Sequence, residues 1–321
     1  MVLTRHPDNP IITRESISSS LPELDDVSSV FNPGAVLVDG KVHLLLRVQN
    51  RGRETYLLHA VSDDGVQFDI DPEPVVFKGI EEISSPVYHV YDPRITKLDG
   101  RYYIMLALDI HNGCRLGLAV TDDFQEYKFL GIKSHIDNRN GVLFPERING
   151  QVFRLDRPNH PMADGPGSGE MIWLVSSRDF TRWIPHSPVL QGRPHFWDER
   201  IGAGPPPVKT RDGWLLLYHG VATHFSSSNI YQAGAALLEL EDPCNLLART
   251  RFNILEPREM YELVGQVPNV VFPSGMVVWD TDDEGFALPD SRVSIYYGAA
   301  DTVVGLAETT IAELVRACRE A

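Results

Sequence analysis

One aspartate in the sequence is a candidate proton donor. Asp92 lies in the segment YDPR, between Tyr91 and Pro93. A carboxyl group in a partly dry pocket holds its proton more tightly than one in water, and this suits it to general-acid chemistry. An aspartate before a proline also commonly caps a turn. The residue therefore needs a structural setting before a catalytic role can be assigned to it.

Basic side chains form a second group that could do chemistry. They are Arg51, Arg53, Arg139, Arg154, Arg157 and His219, with Tyr231 at the start of the strand after His219. Arginine offers two parallel donors to phosphate or carboxylate. Taken singly, each arginine is typical of a surface ion pair. If these side chains came together at the opening of one pocket, they would instead predict a binding site for an anion such as phosphate.

The composition limits the classes of partner. The chain has 321 residues, 43% of them hydrophobic, and a formal net charge of −15. A strongly acidic protein does not attract nucleic acid or an anionic membrane by bulk charge, so we expect a small-molecule ligand. The sequence lacks GxxxxGK and HExxH motifs and a CxxC pair, so we predict no metal and no organic cofactor.

Cysteine usage and the absence of long apolar segments predict a cytoplasmic protein. The three cysteines, Cys114, Cys244 and Cys318, are far apart and odd in number, which favours free thiols over a disulfide framework. The first residues, MVLTRHPDNPIIT, contain no apolar signal-peptide core, and no run is long enough to span a membrane.

Repetition along the chain indicates which elements position these residues. Four segments combine an apolar strand, a short turn and a second apolar strand, with turns at Asp39-Gly40, Asp99-Gly100, Asn149-Gly150 and Asp212-Gly213. Such dipeptides supply the positive φ angles of a type I′ hairpin turn. A fifth copy, SGMVVWDTDDEGFALPDSRVSIYYGAAD, has a longer loop between its strands.

A third strand follows each hairpin and ends in a polar turn, as in LLHAVSDDGVQF and LGLAVTDDFQEY. Antiparallel units repeated five times predict an all-β, five-bladed β-propeller, and we expect residues 1–321 to form this single domain. A β-sandwich is the alternative, although it does not explain five equivalent copies. The segment ETTIAELVRACRE predicts a short C-terminal helix.

The entry to the first strand of each repeat is also similar. The entries read FNPGAV, YDPRIT, LFPERI, GAGPPPV and FPSGMV, and each contains a proline. The first strand of a propeller blade lines the central channel. We therefore expect a ring around one axial pocket, formed by Asn32, Asp92, Glu146, Gly204 and Ser274.

At these same places the sequence resembles glycoside hydrolase family 130. The segments that carry the resemblance are FNPGA, YDPRI, NRNGVLFPERINGQVFRLDRP, IGAGPPPVKTRDGWLLLYHG and YQAGAALLELEDP. They run in order along nearly the whole chain. The resemblance implies a five-bladed propeller and inverting phosphorolysis of β-mannosides, a hexosyltransferase activity, with β-mannoside hydrolases as a minority. The acceptor sugar, the linkage and a homo-oligomeric state stay open.

The resemblance also implies roles for individual residues. Asp92 would be the general acid, acting through a hydroxyl of the mannosyl ring. Inorganic phosphate, as co-substrate, would be held by Arg139, Arg157, His219 and Tyr231. The mannosyl ring would be contacted by Asn32, Arg53, Asp198 and Asp301. Pro33 stands where some relatives carry a small residue such as serine, so a hydroxyl contact to the ligand would be missing here.

Phosphorolysis differs from inverting hydrolysis in what it needs from the protein. Hydrolysis requires an acid and a base, whereas phosphate is already an anionic nucleophile that the protein only has to position. His219 and Tyr231 stand where an extra carboxylate would be needed, which favours phosphorolysis. Hydrolysis with Glu146 as base is the second hypothesis, and a non-catalytic sugar-binding propeller is the third.

Overall fold

The computed structural model describes residues 2–159, 169–223 and 229–320, and its strands form five antiparallel sheets around one axis. We number the sheets as blades one to five. Blade one contains Val27–Val38, Lys41–Asn50, Thr55–Ser62 and Asp69–Pro74. Blade two contains Val87–Leu98, Arg101–Ile110, Gly113–Thr121 and Tyr127–Ile132, to which Phe77–Lys78 adds in parallel.

The remaining blades follow in chain order. Blade three contains Asn138–Leu143, Val152–Pro158, Met171–Ser177 and Ile184–Gln191. Blade four contains Arg200–Ala203, Val208–Thr210, Gly213–Ala222, Ile230–Leu238 and Leu246–Arg249. Blade five contains Val271–Val278, Arg292–Ala299, Val303–Thr310 and, as its outermost strand, Thr4–Arg5. The predicted five-bladed propeller is thereby confirmed.

Helical structure is sparse among the described residues. The predicted C-terminal helix is Ile311–Arg319, which begins after Thr310, whose hydroxyl accepts a hydrogen bond from the Glu313 amide. One further turn of α-helix, Met260–Leu263, was not predicted, and 3₁₀ turns lie at Arg14–Ser16, Pro22–Leu24 and Ile80–Glu82. No helix in these ranges combines the length and apolar character that a membrane span requires.

The hydrophobic core lies between neighbouring blades. Between blades three and four, for example, Leu155 and Leu174 pack with Trp214 and Leu216. Between blades five and one, Ile12 packs with Leu44 and Val304. Because each sheet has apolar side chains on both faces, it is stable only with a blade on either side, and the ring of blades fixes the axial pocket.

Three of the four predicted hairpin turns have the expected geometry. The φ angles are 48° and 82° at Asp39-Gly40, 51° and 77° at Asp99-Gly100, and 51° and 75° at Asn149-Gly150, as a type I′ turn requires. The fourth prediction was wrong by one residue. Thr210 pairs with Gly213, so the turn is Arg211-Asp212, and the Thr210 hydroxyl accepts from the Asp212 amide.

Candidate active site

The first strand of four blades contains a β-bulge near the axis. One extra residue is inserted between Phe31 and Gly34, Tyr91 and Arg94, Arg139 and Val142, and Pro273 and Gly275. Three of the inserted positions have left-handed backbone, with φ of 47° at Asn32, 50° at Asp92 and 53° at Asn140. Bulges of this kind re-aim side chains, and here they direct polar groups into the axial pocket.

The structure places two members of the predicted ring, Asn32 and Asp92, on the axial pocket. Ser274 is fully buried and donates to the Pro33 carbonyl, and neither it nor Gly204 lines the pocket.

The third member of the predicted ring was also wrong. The first strand of blade three is Asn138–Leu143. Asn140 therefore occupies the bulge, and Glu146 lies after the end of this strand. The Glu146 carboxylate accepts from Lys209 Nζ at 2.8 Å and does not line the axial pocket. The sequence reading failed because the proline of LFPERI was taken as the mark of the strand entry.

The axial pocket has a volume of about 330 Å³ and receives side chains from all five blades. Its polar lining comprises Asn32, Arg47, Tyr91, Asp92, Asp109, Arg139, Asn140, Arg157, Tyr231 and Asp301. Ala107, Val267, Val270 and Phe272 complete the wall. Six of the nine residues expected at the site are therefore together: Asn32, Asp92, Arg139, Arg157, Tyr231 and Asp301.

Asp92 is held by one amide and one guanidinium. Asn32 Nδ2 donates to Asp92 Oδ1 at 3.0 Å, and Arg47 Nη1 donates to the same oxygen at 2.9 Å. The Arg47 guanidinium lies 4.5 Å from the ring centroids of both Phe31 and Tyr91. Since both hydrogen bonds go to Oδ1, Oδ2 is the oxygen available to carry a proton to a ligand.

Sequence reasoning missed Arg47, although a signal for it was present. Counting back from the Asp39-Gly40 turn with no bulge places residue 47 opposite Asn32. In the structure the bulge moves the partner of Arg47 to Phe31. Either count brings Arg47 beside the strand entry, so hairpin register could have revealed it.

Asp301 is the second carboxyl group of this side of the pocket. Burial raises the pKa of Asp301 to about 6; nearby Arg47 opposes the shift and nearby Asp92 adds to it. Its backbone is left-handed, with φ of 49°. Asp109, the third carboxylate, was not predicted, and it accepts from the Tyr91 hydroxyl at 2.8 Å.

The part of the pocket contributed by blade three is basic. Arg157 Nη1 donates to Asn140 Oδ1 at 3.1 Å, whereas its Nε is buried and meets no hydrogen-bond partner among the described residues. Burial lowers the pKa of Arg157. Arg139 lines the same wall and forms no ion pair within the described ranges. A buried guanidinium with an unused donor suits an oxyanion.

His219 lies behind this wall and not on the pocket surface. It is fully buried, and its Nε2 lies 3.3 Å from Arg157 Nη1. Burial, together with Arg157 and Arg94, lowers the pKa of His219 well below its usual range. The neutral ring can therefore accept from Arg157 at Nε2. A Cβ on Gly202 would stand 2.4 Å from His219 Cε1, so only glycine leaves room for the ring.

Two residues expected to contact a sugar lie elsewhere. Asp198 is fully buried and accepts from Arg193, Arg249 and the Tyr218 hydroxyl, which leaves it no face toward the pocket. Arg53 lines a separate depression with Arg51 and Gln266. The short motifs around both residues gave no information on where their side chains point.

A model of glycoside hydrolase family 130, described as beta-1,4-mannooligosaccharide phosphorylase, matches residues 2–320. The chain is 35% identical to a 1,2-beta-oligomannan phosphorylase of Thermoanaerobacter sp. strain X514, with 87% of this chain and 89% of that protein covered. It is 34% identical to a beta-1,4-mannooligosaccharide phosphorylase of Ruminococcus albus, with 98% and 90% covered.

A solved structure of similar fold is that of a beta-1,2-mannobiose phosphorylase from Listeria innocua in complex with beta-1,2-mannobiose. It superimposes with a TM-score of 0.86 at 28% sequence identity, and the match covers 100% of both chains. The fold described above is thus shared with a protein whose structure was solved with a bound sugar.

Proposed function

The chain belongs to glycoside hydrolase family 130, and from that premise we propose that its axial pocket catalyses phosphorolysis of a β-mannoside. Inorganic phosphate attacks the anomeric carbon with inversion, and the products are α-D-mannose 1-phosphate and a shorter sugar. The observation that carries the proposal is the buried Arg157, with its unused Nε, in the same pocket as Asp92.

Phosphate binding and proton donation are carried out by different residues of the pocket. A phosphate oxygen, held by Arg157, Arg139 and Tyr231, forms a bond to the anomeric carbon as the glycosidic C–O bond breaks. The departing oxygen takes a proton that originates on Asp92, and the resemblance implies a ring hydroxyl as the relay. Arg47 then stabilises the Asp92 carboxylate that remains.

His219 supports this arrangement without contacting phosphate itself. Because its ring is buried and neutral, it adds no second positive charge beside Arg157 and instead accepts one of its N–H groups. Asn140 accepts from the same nitrogen. Together they hold the guanidinium in place through Nη1.

Hydrolysis on the same fold would require a base next to a water molecule. Glu146, the base offered by the sequence, is paired with Lys209 outside the pocket. The relatives include phosphorylases of both β-1,2 and β-1,4 linkages, so the proposal covers β-mannosides as a class. Acceptor selection depends on loop shapes such as that of segment 159–170, which lies largely outside the described residues.

A cytoplasmic location is part of the proposal. Cys114, Cys244 and Cys318 are free thiols, which is typical of a reducing compartment. Phosphate, the co-substrate of the proposed reaction, is supplied inside cells. Fractionation of the native host would check this location.

The decisive experiment supplies β-1,2- and β-1,4-mannobiose with and without inorganic phosphate. We expect α-mannose 1-phosphate, detected by phosphorus NMR, to form only when phosphate is present, and we expect the reverse reaction from α-mannose 1-phosphate and mannose. Release of free mannose at one rate with or without phosphate would contradict the proposal. Asp109 would then be the carboxylate to test as a base.

A further inference from the structure

A second cavity, here called the side pocket, lies between blades two and three. It has a volume of about 320 Å³ and shares no lining residue with the axial pocket. Its apolar wall includes Trp173, Trp183, Ile136 and Pro185. This volume is within the range of small-ligand sites, and none of the roles assigned above involves it.

The buried cation of the side pocket has an unused donor. Arg154 is 1% exposed, and its Nε and Nη2 donate to the two carboxylate oxygens of Asp156 at 2.5 and 2.7 Å. Nη2 also donates to the Lys133 carbonyl at 3.2 Å. Nη1 is buried and has no partner in the described part of the chain. Buried donors of this kind are normally satisfied by a protein group, a water or a ligand.

A second unused donor belongs to the apolar wall. The indole Nε1 of Trp183 is also buried without a hydrogen-bond partner among the residues described. The Arg154 guanidinium lies 4.1 Å from the centroid of the same ring. The two unsatisfied N–H groups therefore belong to side chains in direct contact, and a ligand there must present acceptor oxygens.

The charges around the side pocket favour a neutral ligand. Asp156 neutralises Arg154, and the Asn138 amide also donates to Asp156 at 3.1 Å. Lys133 is the remaining cation; its ammonium donates to the Leu130 carbonyl at 2.7 Å, and burial lowers its pKa while nearby Asp179 opposes the shift. A sugar ring combines hydroxyl and ether oxygens with an apolar C–H face, which can pack on tryptophan.

We propose that the side pocket is a second saccharide-binding site, which takes one hexopyranose unit through Arg154 Nη1, Trp183 Nε1 and the indole wall. The site shares the strand Val152–Pro158 with Arg157, and Arg154 and Asp156 lie on the face of that strand opposite to Arg157. The proposal rests on the proposed function only in the choice of mannose as the sugar.

Hydrogen–deuterium exchange of the whole chain with mannose tests the proposal, since neither phosphorolysis nor hydrolysis consumes mannose. We expect protection of segments 132–136 and 171–185, separate from any protection around the axial pocket. Trp183→Phe keeps the ring but removes the N–H, and should raise the mannose concentration needed for half-protection about two- to tenfold. Trp279→Phe is the matched control, since its Nε1 donates to Ser294 in blade five.

A second variant keeps the test decisive if Trp183→Phe folds poorly. Ile136 is 45% exposed at the edge of the side pocket, so Ile136→Ala should fold and should also weaken protection of the same segments. The proposal fails if mannose protects only the axial-pocket strands, if neither variant changes the half-protection concentration, or if phosphate alone protects these segments. Because the readout is not turnover, a failure of phosphorolysis would leave this result unaffected.

Discussion

Asp92 combines an acidic proton with a fixed orientation, and Asp92→Asn separates the two. Asparagine can still accept at Oδ1 from Asn32 and Arg47, so the pocket should keep its shape and its affinity for sugar. It cannot donate an acidic proton, and general-acid catalysis contributes about 10²–10⁴-fold. We expect phosphorolysis to fall by that factor in steady-state assays while sugar binding by calorimetry changes little. Near-normal turnover would remove Asp92 from the role.

Arg157 and Arg139 should affect the KM for phosphate more than the KM for the mannoside. A hydrogen bond to a charged group contributes about 1.5–3 kcal/mol, or roughly ten- to more than a hundredfold in affinity. We expect Arg157→Ala and Arg139→Ala to raise the KM for phosphate by such factors with a smaller change for the mannoside. Arg53→Ala, in the separate depression, is the control. An unchanged phosphate KM in both pocket variants would contradict the assignment.

The difference in unfolding free energy between the wild type and Asp301→Asn should depend on pH. The folded pKa of Asp301, about 6, lies above the usual value of 3.8, because burial disfavours the charge. The folded state therefore binds this proton more tightly than the unfolded state, and the resulting stabilisation is lost as pH rises from about 4 to 6. Asp301→Asn lacks that loss, so its stability relative to the wild type should increase across this interval and stay constant above it.

Urea unfolding at pH 4.5, 5.5, 6.5 and 7.5 measures this difference. A difference that does not change with pH would show that Asp301 titrates normally in the folded protein. Asp109→Asn is a suitable control, since it removes a carboxylate of the same pocket that is held by the Tyr91 hydroxyl.

At the scale of strands, the sequence predicted the repeats better than the side-chain directions. Three Asp-Gly or Asn-Gly turns fixed the register of their hairpins because positive φ at two successive residues permits few alternatives. The bulges at Asn32, Asp92 and Asn140 were not predicted, because the alternation of apolar and polar residues does not show where one residue is inserted. Asn140 was missed for this reason, whereas Arg47 was within reach of hairpin register. Asp198 was misplaced because its ion pairs could not be seen in the sequence.

Close approach of neighbouring first strands depends on Gly34. A Cβ there would stand 2.7 Å from the Pro93 carbonyl oxygen, a backbone atom of the next blade. Overpacking against backbone costs about 1–3 kcal/mol, so Gly34→Ala should destabilise the fold by this amount in urea unfolding and lower turnover by displacing Asp92.

Gly52→Ala provides the comparison for Gly34. Its Cβ would meet side-chain atoms of Asn50 at 3.3 Å and of Glu54 at 3.9 Å, and none of its nearest neighbours is a backbone atom, so we expect a change within about 0.5 kcal/mol. Equal losses in the two variants would show that the contact between blades one and two is not the cause.

On the scale of the whole molecule, the pocket exists only when the ring of blades is closed. Thr4–Arg5 supplies the outermost strand of blade five and pairs with Val303–Thr310. Arg5 Nε and Nη2 each donate to Glu262, both at 2.8 Å, and Nη2 also donates to the Glu256 carbonyl. The outermost strand of blade five is thus joined to the helical turn Met260–Leu263 by an ion pair whose carboxylate is fully buried.

Removing Arg5 should weaken this closure strongly. Glu262 is fully buried, and loss of one member of a buried pair costs about 3–5 kcal/mol because the other charge remains uncompensated. Glu262 keeps hydrogen bonds from the Tyr297 hydroxyl and two backbone amides, so we expect Arg5→Ala to fall near the lower end of that range. Arg51→Ala breaks an exposed pair with Asp26 and should cost less than about 1 kcal/mol. Urea unfolding followed by tryptophan fluorescence measures both, and similar small losses in the two variants would show that the ring closes without the Arg5–Glu262 pair.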